Sequence, residues 1–351
     1  MLTKKQVEEI REHLDKAQNP LFFFDNDPDG LCSFLLLQKY KQRGKGVPIR
    51  SFPGLNELYF RKISELAPDY VFILDKPNVS KEFFEKAREI NIPIVWIDHH
   101  KINREEIPEW VYYYNPIFNK NSTSEPVTSL CYQINPDEKL AWIDIAGCIA
   151  DKFFPKSYLK FKKKYPELSI NSEDAFDIFY NSQIGKISRI FSFGLKDSIT
   201  NVVSMLKFLV KAEGPYDVLE ENSHNHLMHK RFNEIDSKHK KLLNKAIELV
   251  EKDEKLIFFQ YGGDLSISSD ISNELSFLYP KKFIIVAYII GAHANISGRG
   301  KNIREKVLEA IKDFQDATGG GHEDAIGARV RVEDLELFRK RIQDFIESNK
   351  K

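Results

Sequence analysis

The stretch FFFDNDPDGLCS, residues 22–33, joins an apolar run to three aspartates at alternate positions, Asp25, Asp27 and Asp29, followed by Gly30. On an extended chain, alternate carboxylates lie on the same side about 7 Å apart and repel by roughly 2 kcal/mol at an effective dielectric constant near 20. A bound cation removes this repulsion. The stretch therefore predicts a metal site.

Two kinds of metal site fit this spacing. The pattern Asp-x-Asp-x-Asp-Gly also opens the calcium loop of an EF-hand, which needs a helix leading in and a bidentate glutamate at position 12. Position 12 is Leu36 here, and residues 21–24 leading into the pattern read LFFF. An apolar run of this kind is typical of a buried strand. The sequence therefore favours a carboxylate site at the end of a strand over an EF-hand.

Length and composition indicate a soluble protein of two domains. The chain has 351 residues, of which 42% are hydrophobic, enough for each domain to bury a core. The three cysteines form no CxxC pair, which argues against a disulfide framework or a thiolate zinc site. The N-terminal residues contain no apolar signal region, and no apolar run approaches roughly 18 residues. We therefore expect a cytoplasmic protein without a membrane partner.

The charge balance limits how the protein binds nucleic acid. The 52 basic residues equal the 52 acidic residues, so any such binding has to be local. Basic clusters at 160–164 and 238–245 are typical of solvated helix faces and are weak evidence. His224, His226 and His229 lie close together, but without carboxylates at a fixed spacing we do not expect them to bind a metal.

The first half of the chain alternates between strand and helix patterns. Strands are predicted at 21–24, 47–52, 70–75 and 93–98, with helices at 31–43, 56–66 and 80–90 between them. This order predicts a parallel sheet with helices on both faces, in which ligands gather at the carboxyl ends of the strands. Metal-type ligands follow three of these strands: Asp25, Asp27 and Asp29; Asp75; and Asp98, His99 and His100.

The combination of carboxylates and imidazoles indicates which metal ion the site prefers. Such a set suits manganese or a similar divalent ion, whereas oxygen ligands alone favour calcium or magnesium. A further acid, Asp151, ends the apolar helical stretch 142–150, and we include it among the ligands.

The second half of the chain predicts a helical connector and another α/β domain. The expected organisation is a first domain at 1–190, a helical connector at 191–253 and a second, smaller domain at 254–351. Consecutive glycines allow close approach of the backbone and turn N–H groups toward an anion. We predict a phosphate-binding clamp of two loops, formed by Asn295, Ser297, Arg299, Gly319, Gly320, Gly321 and His322.

These motifs resemble those of a known superfamily. DNDPDG, the strand-final Asp75, Asp98-His99-His100 and GCIAD ending at Asp151 resemble the four motifs of the DHH phosphoesterases, and ISGRG with GGGH resembles their DHH-associated C-terminal domain. The resemblance implies an α/β fold in which a parallel-sheet DHH domain is joined by a helical connector to a smaller α/β domain. Within the superfamily, the chain is most similar to RecJ-like single-strand exonucleases, particularly short archaeal ones that associate with replication or helicase proteins.

The resemblance also implies a two-metal phosphodiesterase acting on single-stranded DNA or RNA. Two manganese ions (Mn²⁺) are the implied cofactors, with Mg²⁺ or Co²⁺ as substitutes. Asp27 and Asp29 would bind different ions, Asp75 would bridge them, and His100, with Asp98 beside it, would hold or protonate the scissile phosphate. The implied metal ligands are Asp25, Asp27, Asp29, Asp75, His99 and Asp151. The clamp residues and aromatic residues such as Tyr112 to Tyr114 would contact the nucleic-acid strand, although an aromatic strand is more often part of a core.

Two other functions remain open at this point. One is a small-substrate hydrolase of the same superfamily, cutting nano-RNA, cyclic dinucleotides or a nucleoside bisphosphate. The other is a catalytically silent scaffold in a replication complex, as some relatives in the superfamily have become. Silent relatives lose metal ligands, and the positions named above retain theirs.

Overall fold

The computed structural model describes residues 1–50, 54–251 and 254–348, and the chain divides into two units, Met1–Phe232 and Asn233–Lys351. Each unit contains its own five-stranded sheet. Among the described residues, no helix is both long and apolar enough to cross a membrane.

The sheet of the first unit is entirely parallel, as the sequence predicts. Its strands lie in the order β2-β1-β3-β4-β5. Their bounds are β1 Pro20–Asp25, β2 Lys45–Ile49, β3 Tyr70–Leu74, β4 Ile94–Ile97 and β5 Tyr112–Tyr114. The part of the predicted second strand at 51–52 lies outside the described residues. Because the chain leaves β1 for one neighbour and returns to the other, the strand order reverses between β1 and β3, where sheets of this type bind ligands.

Helices cover both faces of this sheet. Their bounds are α1 Lys4–Lys16, α2 Pro28–Lys41, α3 Phe60–Leu66, α4 Lys81–Glu89, α5 Val127–Ile134, α6 Ala141–Ala150, α7 Ser157–Lys164, α8 Ala175–Asn181, α9 Gln183–Gly194, α10 Ile199–Lys211 and α11 Pro215–Leu219. A further helix, α12 (His226–Glu248), crosses the division between the units.

Alternating phenylalanines of β1 supply a core on each side of the sheet. Phe23 packs with Phe83 of α4 on one face, in a cluster of apolar side chains that also contains Ile63 of α3. Phe24 stacks on Phe34 of α2 with ring centroids 5.2 Å apart. Because both faces of β1 are buried, the strand is apolar at consecutive positions rather than at alternate ones.

Helix α2 starts earlier than the sequence pattern predicts. We predicted residues 31–43, whereas the helix begins at Pro28 and ends at Lys41. The Asp27 side chain accepts a hydrogen bond from the Gly30 N–H, and a proline follows as the first helical residue, which is a favourable helix start. Gln42 adopts a left-handed conformation with φ 56° and ends the helix two residues before Gly44.

The sheet of the second unit is mixed. Its strands are β6 Leu256–Gly262, β7 Phe283–Ile290, β8 His293–Arg299, β9 Thr318–His322 and β10 Ala325–Arg331, in the order β6-β7-β8-β10-β9. Within the described part of this unit, the pair β6–β7 is parallel and the other pairs are antiparallel. The helices are α13 Ser268–Leu278, α14 Ile303–Ile311 and α15 Leu335–Ser348.

The glycine-rich clamp is formed by strands and not by the two loops we predicted. Thr318–His322 is the edge strand β9 and pairs with β10, while the second expected loop belongs to β8. The prediction failed because glycine runs have a low intrinsic strand propensity. Here backbone pairing with β10 outweighs that propensity, and every residue of β9 remains exposed.

Candidate metal centre

The six predicted ligands and His100 converge at the carboxyl ends of β1, β3 and β4. Three groups of side chains each have ligand atoms within 4.8 Å of one another: Asp75, His99 and His100; Asp29, His99 and Asp151; and Asp25, Asp27 and Asp75. Because Asp75 and His99 each belong to two groups, the groups adjoin. We call these seven residues the acidic centre.

The turn between β1 and α2 fixes the first three carboxylates. A side chain at position 30 would bring its Cβ within 2.4 Å of the Asp25 carbonyl oxygen, so only glycine fits there. Asp29 is fully buried, and its two carboxylate oxygens accept hydrogen bonds from the Val127 and Thr128 N–H groups at 2.9 and 2.7 Å. These two hydrogen bonds from the start of α5 fix the orientation of the Asp29 carboxylate.

Asp75 gives the clearest indication of a cation site. It follows β3 with φ 58°, a left-handed conformation that is uncommon for a residue other than glycine. Its Oδ1 is buried without a hydrogen bond and lies 3.3 Å from His99 Nε2. His99 Nε2 is also 3.7 Å from Asp151 Oδ2. A buried carboxylate oxygen without a hydrogen bond is costly, and a divalent cation would satisfy it.

Three carboxylates of the acidic centre, Asp27, Asp75 and Asp151, have a raised pKa. Burial and the charges of Asp25 and Asp29 raise the pKa of Asp27 to about 7. Burial and the neighbouring carboxylates raise the pKa of Asp75 well above its usual range. Repulsion of this kind favours binding of a cation, and the donor set of carboxylates with imidazoles suits manganese or a similar divalent ion. The residues of the centre thus fit a divalent metal.

Asp98 lies outside the three groups of the acidic centre and orients His100. Its Oδ1 is 2.8 Å from His100 Nδ1, and its Oδ2 accepts a hydrogen bond of 3.4 Å from the Tyr113 hydroxyl. Burial lowers the pKa of His100, but the hydrogen bond and charge of Asp98 outweigh it and raise that pKa overall. Tyr113 packs against Trp96 with ring centroids 4.8 Å apart, so this tyrosine belongs to the sheet core.

Sequence reasoning missed Lys76. Its side chain is 1% exposed, and its Nζ donates a hydrogen bond of 3.0 Å to Asp25 Oδ1. Lys76 follows Asp75 directly and leaves the same edge of the sheet as the acids, but the residue pattern does not show that its side chain turns toward them. Asp25 therefore differs from the other carboxylates of the centre in having a lysine as an ion-pair partner.

The predicted clamp residues divide between the two faces of the second sheet. Arg299, Ser297 and Asn295 lie opposite Ala325, Gly327 and Arg329 of β10, which in turn lie opposite His322, Gly320 and Thr318 of β9. Directly paired residues point to the same face of a sheet. This face, which we call the glycine face, therefore contains Asn295, Ser297, Arg299, Gly320, His322 and the unpredicted Arg329. Gly319 and Gly321 belong to the opposite face.

Two members of the glycine face are held by α13. Ser297 is buried, with its Oγ 3.0 Å from Ser268 Oγ, and Arg299 Nε donates a hydrogen bond of 2.6 Å to Asn273. Arg329 and Gly320, on β10 and β9, are exposed. The clamp is therefore an open strip of sheet beside a helix.

Both halves of the chain match family models. The DHH family, N-terminal domain, matches residues 21–150, and the DHHA1 domain matches residues 252–348. No curated protein matches the sequence.

Solved structures share the fold at low sequence identity. An exonuclease RecJ bound to manganese is 12% identical with a TM-score of 0.68, covering 98% of this chain and 94% of its own. RecJ from Thermus thermophilus in complex with Mn²⁺ is 13% identical with a TM-score of 0.71, covering 97% of this chain and 54% of its own. The pGpG-specific phosphodiesterase PggH from Vibrio cholerae is 14% identical with a TM-score of 0.50, covering 94% of this chain and 99% of its own. With a DHH domain and a DHHA1 domain in this order, the chain belongs to the DHH phosphoesterase superfamily.

Proposed function

We propose that the chain is a divalent-metal-dependent phosphodiesterase, a RecJ-like exonuclease that hydrolyses single-stranded DNA or RNA. The observation that supports this most is the convergence of three adjoining ligand groups that share Asp75 and His99. A two-metal centre needs two adjoining groups of ligands. Asp75, whose Oδ1 is buried without a hydrogen bond, is the residue that would be shared between the two ions.

Within this proposal, five residues would hold two ions: Asp27, Asp29, Asp75, His99 and Asp151. Bound divalent ions supply an activated water and neutralise charge on the phosphoryl oxygens. The chain's contribution is rigid placement, since Asp29 is fixed by two backbone N–H groups and Asp27 by the Gly30 N–H. Manganese is the proposed ion, with magnesium or cobalt as substitutes.

His100 is the proposed proton donor. Its raised pKa keeps more of the imidazole protonated near neutral pH, so that it can hold a phosphate oxygen or protonate the leaving oxygen. Asp98 fixes the Nδ1 side of the ring, which makes Asp98 a positioning residue.

The glycine face is the proposed strand-binding surface of the second unit. Gly320 and Gly327 leave the backbone uncovered on neighbouring strands, so a phosphodiester chain can approach the sheet closely. Exposed Arg329 on the same face offers a charged donor for phosphate. These features suit a flexible single strand held by its backbone.

A small-nucleotide phosphodiesterase is the second candidate. Its support is the structural relative that acts on pGpG, which shares the fold across most of both chains. Nano-RNA, cyclic dinucleotides and nucleoside bisphosphates belong to this alternative. The exposed edge position of β9 favours a long strand, because a small ligand gains most from an enclosed pocket.

One experiment separates these functions. Protein loaded with Mn²⁺ is incubated with end-labelled single-stranded DNA and RNA, and with pGpG and a cyclic dinucleotide, beside Asp75→Asn, His100→Gln and the surface control Glu85→Gln. We expect stepwise shortening of the long strands by the wild type and the control, and no shortening by the two site variants. If the wild type cleaves only pGpG or the cyclic dinucleotide, the second candidate function replaces the exonuclease. No reaction with any substrate, across Mn²⁺, Mg²⁺ and Co²⁺, would favour a silent replication scaffold.

A further inference from the structure

Lys76 is a buried cation within the acidic centre. The Lys76 Nζ donates to Asp25 Oδ1 at 3.0 Å and to the Arg50 carbonyl at 3.4 Å, and the side chain is 1% exposed. The Lys76 carbonyl accepts a hydrogen bond of 3.0 Å from Trp96 Nε1, which fixes its backbone beneath the site. A lysine this deeply buried requires an anionic partner, because an unpaired charge in the interior is strongly destabilising.

Asp25 uses one oxygen for these contacts. Asp25 Oδ1 accepts hydrogen bonds from both Lys76 Nζ and the Asn26 N–H, the latter at 2.8 Å. Asp25 belongs to only one ligand group among the described residues, with Asp27 and Asp75. The positive charge of Lys76 therefore lies closest to the group formed by Asp25, Asp27 and Asp75.

Lys76 offsets the larger negative charge of the ligand group that contains Asp25. With its carboxylates ionised, the group of Asp25, Asp27 and Asp75 has a formal charge of −3, which Lys76 reduces to −2. The group of Asp29, Asp151 and His99 has −2 with an imidazole ligand and without a lysine among its three members. The two groups therefore have the same net charge, but in the first group one carboxylate oxygen, Asp25 Oδ1, already accepts hydrogen bonds from Lys76 Nζ and the Asn26 N–H, whereas the second group includes an imidazole ligand.

We propose that Lys76 is a resident cation that holds Asp25 out of the metal shell and weakens ion binding in the Asp25–Asp27–Asp75 group, so that the two ions of the centre bind with unequal affinity. The inference rests on the proposed metal-dependent function and adds the order in which the ions bind. The tight ion would be held by Asp29, His99 and Asp151, with Asp75 shared between the ions. The weak ion would bind beside Lys76 and would exchange first.

Titration of the metal-free protein with Mn²⁺ tests this directly, with free Mn²⁺ measured by electron paramagnetic resonance. We expect the wild type to bind one ion tightly and a second at least about tenfold more weakly. Lys76→Met, which has a similar side-chain length without the charge, is expected to tighten the second ion at least about tenfold. Lys76→Arg keeps the charge and is expected to bind like the wild type. The surface control Lys81→Met is expected to do the same.

Each outcome decides the inference. Equal affinity for the two ions in the wild type overturns the inference without any variant. A folded Lys76→Met that binds its second ion as weakly as the wild type overturns it too. If Lys76→Met does not fold, the unequal steps of the wild type, retained in Lys76→Arg, support it. Failure of the proposed function has a different signature, namely unequal Mn²⁺ binding without cleavage of any substrate. Cleavage of a substrate together with equal affinity for the two ions would support that function and contradict only the role of Lys76.

Discussion

The acidic centre and the glycine face place polar groups on a sheet in opposite ways. The acidic centre lies at the carboxyl ends of parallel strands, and two of its aspartates, Asp27 and Asp29, are fixed by the starts of α2 and α5. The glycine face lies across antiparallel strands, and its outer strand is exposed at every residue. The first arrangement holds a few atoms in fixed positions, whereas the second offers a long surface to an extended ligand.

This difference predicts how substitutions in the two regions behave. Under the proposed function, removing a group from the acidic centre should reduce the rate of the chemical step, because those groups are ordered in advance and would act in the transition state. Removing a group from the glycine face should weaken binding and leave that step nearly unchanged. The kcat and KM of matched variants therefore test whether the two regions divide the work in this way.

The largest effect is expected for Asp75→Asn, which should lower kcat by about a thousandfold or more. Asp75 is the carboxylate that two of the ligand groups of the described residues share. The same change should raise the thermal stability of the metal-free protein, because the raised pKa of Asp75 reflects burial of its charge and repulsion by neighbouring carboxylates, and the neutral amide removes both costs. Steady-state kinetics with Mn²⁺ and melting in a chelator measure the two effects. If the variant keeps kcat within about tenfold of the wild type, the acidic centre does not carry the chemical step.

Asp98→Asn should lower kcat by about a hundredfold and shift the pH profile. In the wild type, His100 loses its proton as the pH rises through its raised pKa. Without the Asp98 charge that pKa falls, so the decline of activity with rising pH should begin at a lower pH. The pH dependence of kcat in the two proteins measures the shift. A drop in activity with an unshifted profile would assign Asp98 a purely structural role.

Much of the acidic centre could be predicted from the sequence because its geometry follows from topology. A βαβ order forces the ends of β1, β3 and β4 to one edge, and residues that follow strands on that edge have to meet. Lys76 escaped because its direction depends on the left-handed conformation of Asp75 and on the hydrogen bond from Trp96. Neither is visible in a pattern of residue types.

The glycine face was harder to predict, since its geometry depends on strand pairing over a distance. Gly319–His322 lacks strand-forming side chains, and only its register with β10 makes it a strand. That register assigns Gly320 and His322 to one face and Gly319 and Gly321 to the other. The register of β10 on β8 places Arg329 directly opposite Asn295. A sequence motif treats the three glycines as equivalent, whereas the sheet separates them.

Two neighbouring glycines allow that separation to be tested. Gly321 has φ 147°, and an added Cβ would lie 2.3 Å from the Ala325 carbonyl oxygen. At Gly320, no atom of the described residues lies within 4 Å of such a Cβ. Gly321→Ala should therefore reduce the free energy of unfolding by about 1–3 kcal/mol, and Gly320→Ala should leave it nearly unchanged. Denaturant unfolding compares them. Equal losses would contradict the register of β9 on β10.

The smallest effect is expected for Arg329→Ala, which should weaken binding of single-stranded DNA by about tenfold at low salt and leave kcat unchanged. A phosphate contact also releases counterions, so the slope of log Kd against log salt should become smaller by about one. Arg304→Ala is the matched control, because Arg304 is an exposed arginine of α14, whose apolar side chains pack with the opposite face of the same sheet. Fluorescence anisotropy with a labelled oligonucleotide measures both slopes. If Arg304→Ala and Arg329→Ala lose affinity equally, the unit attracts nucleic acid through its general charge and the glycine face has no special part in binding. If only Arg329→Ala loses affinity and kcat holds, binding and chemistry are separated between the two sheets in the way their strand geometries imply.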